Sequence, residues 1–291
     1  MAHRDAETKQ FRVVRDFYAK FLAACSRSND PRIEQAFQTV PRERFLPPGP
    51  WKVFVGNTKR DAYIETPSAD PIHLYQNVLV ALDEPKGVNN GQPSLHANWL
   101  GAVLPKPGEN VVHIGAGRGY YSAILSSLVL PDGAVTAFEI NKTLASAARN
   151  HLVDFENVTV VDKDAVVSGI PEADVIYVNA GVTGLPKTWL QALRLGGRLI
   201  FPWRPLERVG MALLITRKPR GFQVENVGFA SFISCIGASD EEATIAAPDL
   251  DGIRQIRSVH LVSQEKPDDT AIAIYKDVWF SRAEVFDRKP S

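Results

Sequence analysis

The chain has 291 residues, with 33 Lys and Arg against 33 Asp and Glu, so its formal net charge is zero. That balance removes any whole-chain electrostatic argument for nucleic acid or an acidic membrane as partner. Hydrophobic residues at 45% and charged residues at 23% describe a globular chain that closes a core without staples, and the only cysteines, Cys25 and Cys235, stand too far apart for a disulfide framework or a metal-ligand spacing.

The first ten residues are polar and lack the apolar centre of a signal peptide, and no apolar run is long enough to span a membrane, so a soluble cytoplasmic protein is expected. Phe11, Val14, Phe17, Tyr18, Phe21 and Leu22 then fall on one helical stripe over 11–24. Asn29-Asp30-Pro31 reads as a stop and restart, and Ile33, Ala36, Phe37 and Val40 form the stripe of a second helix. Val40 to Pro48 ends it with three prolines, Pro41, Pro47 and Pro48. Residues 51–82 are weakly patterned, interrupted by Gly56, Pro67 and Pro71, and are expected to be irregular with one short strand near Val53 or Leu79. Lys86-Gly87-Val88-Asn89-Asn90-Gly91-Gln92-Pro93 is a loop that delivers its amides to a helix over 94–104.

The centre of the chain is Val111-Val112-His113-Ile114-Gly115-Ala116-Gly117-Arg118-Gly119-Tyr120: an apolar strand, a glycine turn and the start of a helix whose apolar residues are Tyr121, Ala123, Ile124, Leu125 and Leu128. Glycines here admit positive φ and let a ligand approach the backbone, while free amides at a helix start attract electron-rich groups. Glu139 falls at the carboxyl end of the next strand, 134–138, where a carboxylate can accept from both hydroxyls of a ribose. A dinucleotide fingerprint wants a third small residue at position 120, which is Tyr120 here, so a nicotinamide dehydrogenase is the poorer reading.

The rhythm continues with a helix over 144–152, strands over 157–161 and 174–178, a helix over 185–195 ended by Gly196-Gly197, and a strand over 198–201. Such alternation predicts a mostly parallel sheet with helices on both faces. Segments 211–216 and 222–233 are joined by a link too short for a crossover helix and are expected to form an antiparallel hairpin. Beyond Gly237, Asp240 to Glu242 and Pro248-Asp249 read as loop, and 253–262 and 270–280 as two further strands. The expected organisation is an N-terminal helical and irregular segment (1–85), a ligand-binding core (86–235) and a β-rich extension (236–291).

The G-x-G-x-G spacing of the central turn resembles motif I of S-adenosylmethionine-dependent methyltransferases, and the order of motifs from Asp30 to about Ile233 is similar to that of the protein-L-isoaspartate O-methyltransferases. The resemblance includes Asp30-Pro31-Arg32, Val40-Pro41-Arg42-Glu43-Arg44-Phe45, the glycine turn, Glu139, Asp164, the run Asp174 to Ala180, and Leu195 to Pro202. It implies a Rossmann-like α/β methyltransferase fold with S-adenosylmethionine as cofactor. Gly115, Ala116, Gly117, Gly119 and Tyr120 would lie beside its methionine part, Glu139 with Ile140 at the ribose, and Asp164 with Ala165 at the adenine amine, a donor that suits a carboxylate. Gln92 and Asn179 complete the expected binding set. The acceptor would be a carboxylate or other nucleophile on a protein, peptide or small molecule.

The chain departs from the family pattern at two places. His113 stands where an acidic residue usually precedes Ile-Gly. When the Thr-x-Ser-x-Pro signature of the substrate loop is aligned on Pro93, Asn89 and Gly91 replace its hydroxyl residues. Asn89, Asn90, Ser94 and His96 are the candidates for acceptor contact, with His96 or His73 as a base for an amine or hydroxyl acceptor. The rival reading is a catalytically silent module that binds the cofactor or recruits a partner through its C-terminal extension.

Overall fold

A computed structural model describes residues 2–54, 63–206, 209–239 and 244–285. The chain runs α1 (Ala2–Ser26), α2 (Pro31–Thr39), a single 3-10 turn at Arg42–Phe45, β1 (Lys52–Phe54), β2 (Ile64–Glu65), β3 (Leu79–Asp83), β4 (Val88–Asn89) and α3 (Pro93–Val103). The central region follows as β5 (Asn110–Ile114), α4 (Tyr120–Val129), β6 (Ala134–Phe138), α5 (Lys142–His151), β7 (Val158–Val161), β8 (Ala173–Val178), α6 (Lys187–Ala192) and β9 (Leu193–Leu206). It closes with β10 (Val209–Lys218), β11 (Gly221–Phe229), β12 (Thr244–Ala246), α7 (Leu250–Gln255), β13 (Ser258–Leu261), β14 (Ala271–Tyr275) and β15 (Val278–Ser281). Among the described residues no helix is long and apolar enough to cross a membrane.

One large sheet has the order β12-β14-β15-β13-β11-β10-β9-β8-β5-β6-β7. Strands β9, β8, β5, β6 and β7 pair in parallel. From β9 onward the pairing is antiparallel, through the β10–β11 hairpin into the C-terminal strands. The order reverses at β5, which has β6 on one side and β8 on the other, and the crevice beyond the carboxyl ends of such strands is where open α/β sheets take ligands.

Both faces of this sheet are covered, which is why its strands are apolar at consecutive positions rather than alternate ones. Val111, Val175, Tyr177, Ile200 and Ala212 face a core shared with α1 to α4. Their chain neighbours Val112, Ile176, Val178, Leu199, Phe201 and Leu213 face a second core with α6, α7 and the C-terminal strands. A four-stranded sheet, β2-β1-β3-β4, packs over a small cluster of Leu46, Trp51, Val53, Leu74, Val78 and Val80. Segment 51–82, expected to be irregular with one short strand, thus holds strands at both Val53 and Leu79, part of a sheet whose pairing is not local.

Four more expectations are corrected. In α1 the buried stripe is Tyr18, Ala19 and Leu22, while Phe17 and Phe21 are exposed, because only one side of the helix meets α2 and α3. The helix expected over 185–195 stops at Ala192: Leu193 pairs with Ala173 of β8, and this strand pairing takes the backbone groups that a longer helix would use. The strand expected over 253–262 begins as α7, since Asp249 caps it by accepting from the Gly252 amide at 2.6 Å and Ile253 and Ile256 are both buried at helical spacing. The single strand expected over 270–280 is two, β14 and β15, paired antiparallel. The acidic run from Asp240 to Glu242 lies outside the described residues.

Candidate active site

β5 ends at Ile114 and the chain turns through the glycines into α4. The amides of Gly115 and Ala116 both donate to the Phe138 carbonyl, at 2.9 and 3.0 Å, and the Gly117 amide donates to Glu139 Oε2 at 2.7 Å. The turn is therefore fixed to the end of β6. Gly115 and Gly117 take φ of +77° and +58°, conformations that only glycine adopts without strain. Gly119 has another task. It is the N-cap of α4, and a Cβ there would stand 2.8 Å from Leu152 Cδ1, so it lets α4 start against the end of α5 and does not line the cavity.

A cavity of about 900 Å³ opens over the carboxyl ends of the parallel strands. Its wall includes Gln92, Gly115, Ala116, Gly117, Tyr120, Glu139, Ile140, Asp164, Ala165 and Asn179, which is every residue expected to bind a ligand except Gly119. Glu139 is buried; Oε2 accepts from Gly117 and Oε1 from the Asn141 amide at 2.9 Å. Burial raises its pKa against the lowering effect of those amides. Asp164 uses Oδ1 to cap the next turn, accepting from the Val166 amide at 2.7 Å, and Oδ2 has no partner among the described residues. A carboxylate offers about four acceptor positions, so both side chains keep capacity for a ligand.

His113 lies wholly buried on β5. Its Nδ1 is 2.8 Å from Ser122 Oγ, and its Nε2 accepts from Asn179 Nδ2 at 2.8 Å, so Nδ1 carries the hydrogen. Burial pushes its pKa down to about 3, and it is neutral. Asn179 Oδ1 is left as a buried acceptor without a partner, beside Gly115.

On the opposite side the cavity is closed by β3, β4, the loop before α3 and the segment after β11. Asn89, Asn90 and His96 line it; Ser94 and His73 do not. The Ser94 amide is tied to Asn77 Oδ1 at 2.9 Å, and His73 packs beside Ser68 on the 3-10 turn that begins at Pro71. Asn89 Oδ1 accepts from the Gly91 amide at 2.9 Å, and Asn90 Oδ1 accepts from the Val80 amide at 2.9 Å and from Arg42 Nη2 at 3.2 Å. Arg42 is fully buried and also donates to the carbonyls of Leu74, Gln76 and Val78, which holds the small sheet and the loop as one unit. Ser231 to Ile236, Leu79, Leu82 and Phe45 also line the cavity. Sequence reasoning did not place them at the site because their approach depends on how distant segments pair, and of them only Phe45 stands in a motif run.

The family model for protein-L-isoaspartate(D-aspartate) O-methyltransferase (PCMT) matches residues 24–239. A protein-L-isoaspartate O-methyltransferase of Methanopyrus kandleri is 30% identical over 201 residues, covering 67% of this chain and 79% of its own. Among solved structures, a protein-L-isoaspartate O-methyltransferase superposes with a TM-score of 0.64 at 21% identity, over 92% of this chain and 87% of its own. A Plasmodium falciparum β-aspartate methyltransferase, crystallised in complex with S-adenosyl-L-homocysteine, superposes with a TM-score of 0.59 at 18% identity, over 76% of this chain and 97% of its own. At these identities the structures speak for the fold.

Proposed function

This chain belongs to the protein-L-isoaspartate(D-aspartate) O-methyltransferase family, and from that premise we propose that it transfers a methyl group from S-adenosylmethionine to a carboxylate of a protein or peptide. The observation that carries this reading is that a glycine turn and two carboxylates, each just beyond one of three adjacent parallel strands, converge on one cavity.

The residues present fit the cofactor. Glu139 would accept from the ribose hydroxyls and Asp164 Oδ2 from the adenine amine. Asn179 Oδ1, a buried acceptor with no partner, would take the ammonium of the methionine part, in place of the acidic residue that His113 replaces. Gly115 and Gly117 leave the backbone open to the chain between them, and Tyr120, Ile140 and Ala165 supply apolar wall. When bound, S-adenosylmethionine supplies an electrophilic methyl group. A carboxylate acceptor is already ionised near neutral pH, so the protein's task is to hold it in line and exclude water, and no strong base is required.

Calorimetry with S-adenosylhomocysteine, paired with labelled methyl transfer to a peptide carrying one isoaspartyl residue, tests this reading; binding and labelled product are expected, and no heat with either form of the cofactor overturns it. One observation favours a second reading, a module that binds the cofactor without turnover: positions 89 and 91 carry no hydroxyl. That reading expects tight binding and no labelled product.

A further inference from the structure

We propose that His96 presents its Nε2–H to the acceptor carboxylate from the floor of the cavity, using space that the absence of a side chain at Gly91 opens; this rests on the methyltransferase reading above.

His96 sits in the first turns of α3, 1% exposed, with its ring stacked on Tyr121 at a centroid separation of 3.7 Å and edge-on to Phe232 at 6.0 Å. Nδ1 is 2.9 Å from the Tyr177 hydroxyl, while that hydroxyl is 3.5 Å from the His96 carbonyl. We assign the Tyr177 hydroxyl as donor to Nδ1, the closer of its two acceptors, which puts the ring hydrogen on Nε2 as part of the proposal. Nε2 has no partner among the described residues, and His96 is the one imidazole in the described cavity wall.

Gly91 has φ +75°, and a Cβ there would stand 2.2 Å from His96 Nε2. The glycine and the imidazole are thus alternatives for one volume: Nε2 lies against Gly91, and both residues belong to the cavity wall. Burial first, and then His113 and Arg42 nearby, keep the ring neutral. A ring so resistant to protonation is a poor base for an amine or alcohol, whose deprotonation needs a pKa near the working pH. It is well suited to donate a hydrogen bond to an anion. Arg42, without a carboxylate partner among the described salt bridges, adds positive potential from behind Asn90.

The test uses H96F, which keeps ring size and stacking but has no donor, H96Q, which keeps an amide donor, and Y177F, which releases the tautomer. With an isoaspartyl peptide as acceptor, H96F is expected to lose about ten- to hundredfold in kcat/KM, the range of one hydrogen bond to a charged group. H96Q should stay within about tenfold of wild type, and all three should bind S-adenosylhomocysteine within about twofold of it. In wild-type protein with labelled histidine, the His96 nitrogen signals should report the Nε2–H tautomer and shift when the peptide is added to the S-adenosylhomocysteine complex. H96F as active as wild type, or His96 signals unmoved by saturating peptide, overturns the inference. Wild-type protein that binds no S-adenosylhomocysteine overturns the methyltransferase reading and this inference together, so the two failures are distinct.

Discussion

Glu139 is buried at the end of β6, and that burial raises its pKa. Its two oxygens already hold the glycine turn and the start of α5 in place through the amides of Gly117 and Asn141. E139Q keeps the shape but turns one acceptor atom into a donor facing the Gly117 or Asn141 amide. Isothermal titration should show S-adenosylhomocysteine affinity reduced about ten- to hundredfold, the loss expected when hydrogen bonds to a charged acceptor are removed. An affinity equal to wild type would remove Glu139 from the proposed site. Asp164 differs because one oxygen is committed to its own turn; D164N, with its carbonyl oxygen still capping Val166, should weaken binding and leave thermal stability within about 1 kcal/mol of wild type. Glu139 was legible in the sequence because it immediately follows a strand of the parallel rhythm, whereas Asp164 was marked only by the family resemblance. The partners of His96 and His113 were not legible, since Tyr177 and Asn179 reach them across the sheet from β8 and its end.

At the level of elements, the glycine turn divides its labour: Gly115 and Gly117 border the cavity, and Gly119 sets how closely α4 meets α5. A side chain at Gly119 faces a φ of +98° and a contact of 2.8 Å with Leu152. G119A should therefore destabilise the fold by roughly 1–3 kcal/mol in urea unfolding, through backbone strain and overpacking. Its effect on cofactor affinity should be smaller than its effect on stability. A stability unchanged within about 0.5 kcal/mol would show that the α4 start can shift without cost. The strands and helices from β5 to β8 were legible because hydrophobic period and turn residues agree there. Agreement failed where an element depends on a distant partner: β1 to β4 pair with one another across gaps in sequence, and the opening of β9 is claimed by β8 before a helical pattern can continue.

For the whole molecule, the two buried neutral histidines next to the site govern acid stability. His113 has an ordinary pKa of 6.5 in the unfolded chain and about 3 in the fold, and His96 is displaced in the same direction. Between His113's two values the unfolded chain binds more protons, so its contribution is fully present above about pH 6.5 and is lost as pH falls, at about 1.4 kcal/mol per pH unit, and His96 acts in the same direction. Glu139, raised by burial, acts with the opposite sign in its own window. Urea unfolding at pH 7, 5.5 and 4.5 should show falling stability, and H113N should flatten the slope by about one proton; an unchanged slope would mean that His113 titrates normally in the fold. The sequence by itself determined the parallel α/β core, the glycine turn and the place of Glu139 at the end of β6, because local hydrophobic period and residues adjacent to strand ends specify these without reference to distant chain. Only the tertiary structure decided that the C-terminal strands extend the same sheet, that Arg42 ties the small sheet to the loop, and that an imidazole from α3 stands against Gly91, because each depends on which segments, far apart in sequence, share one buried volume.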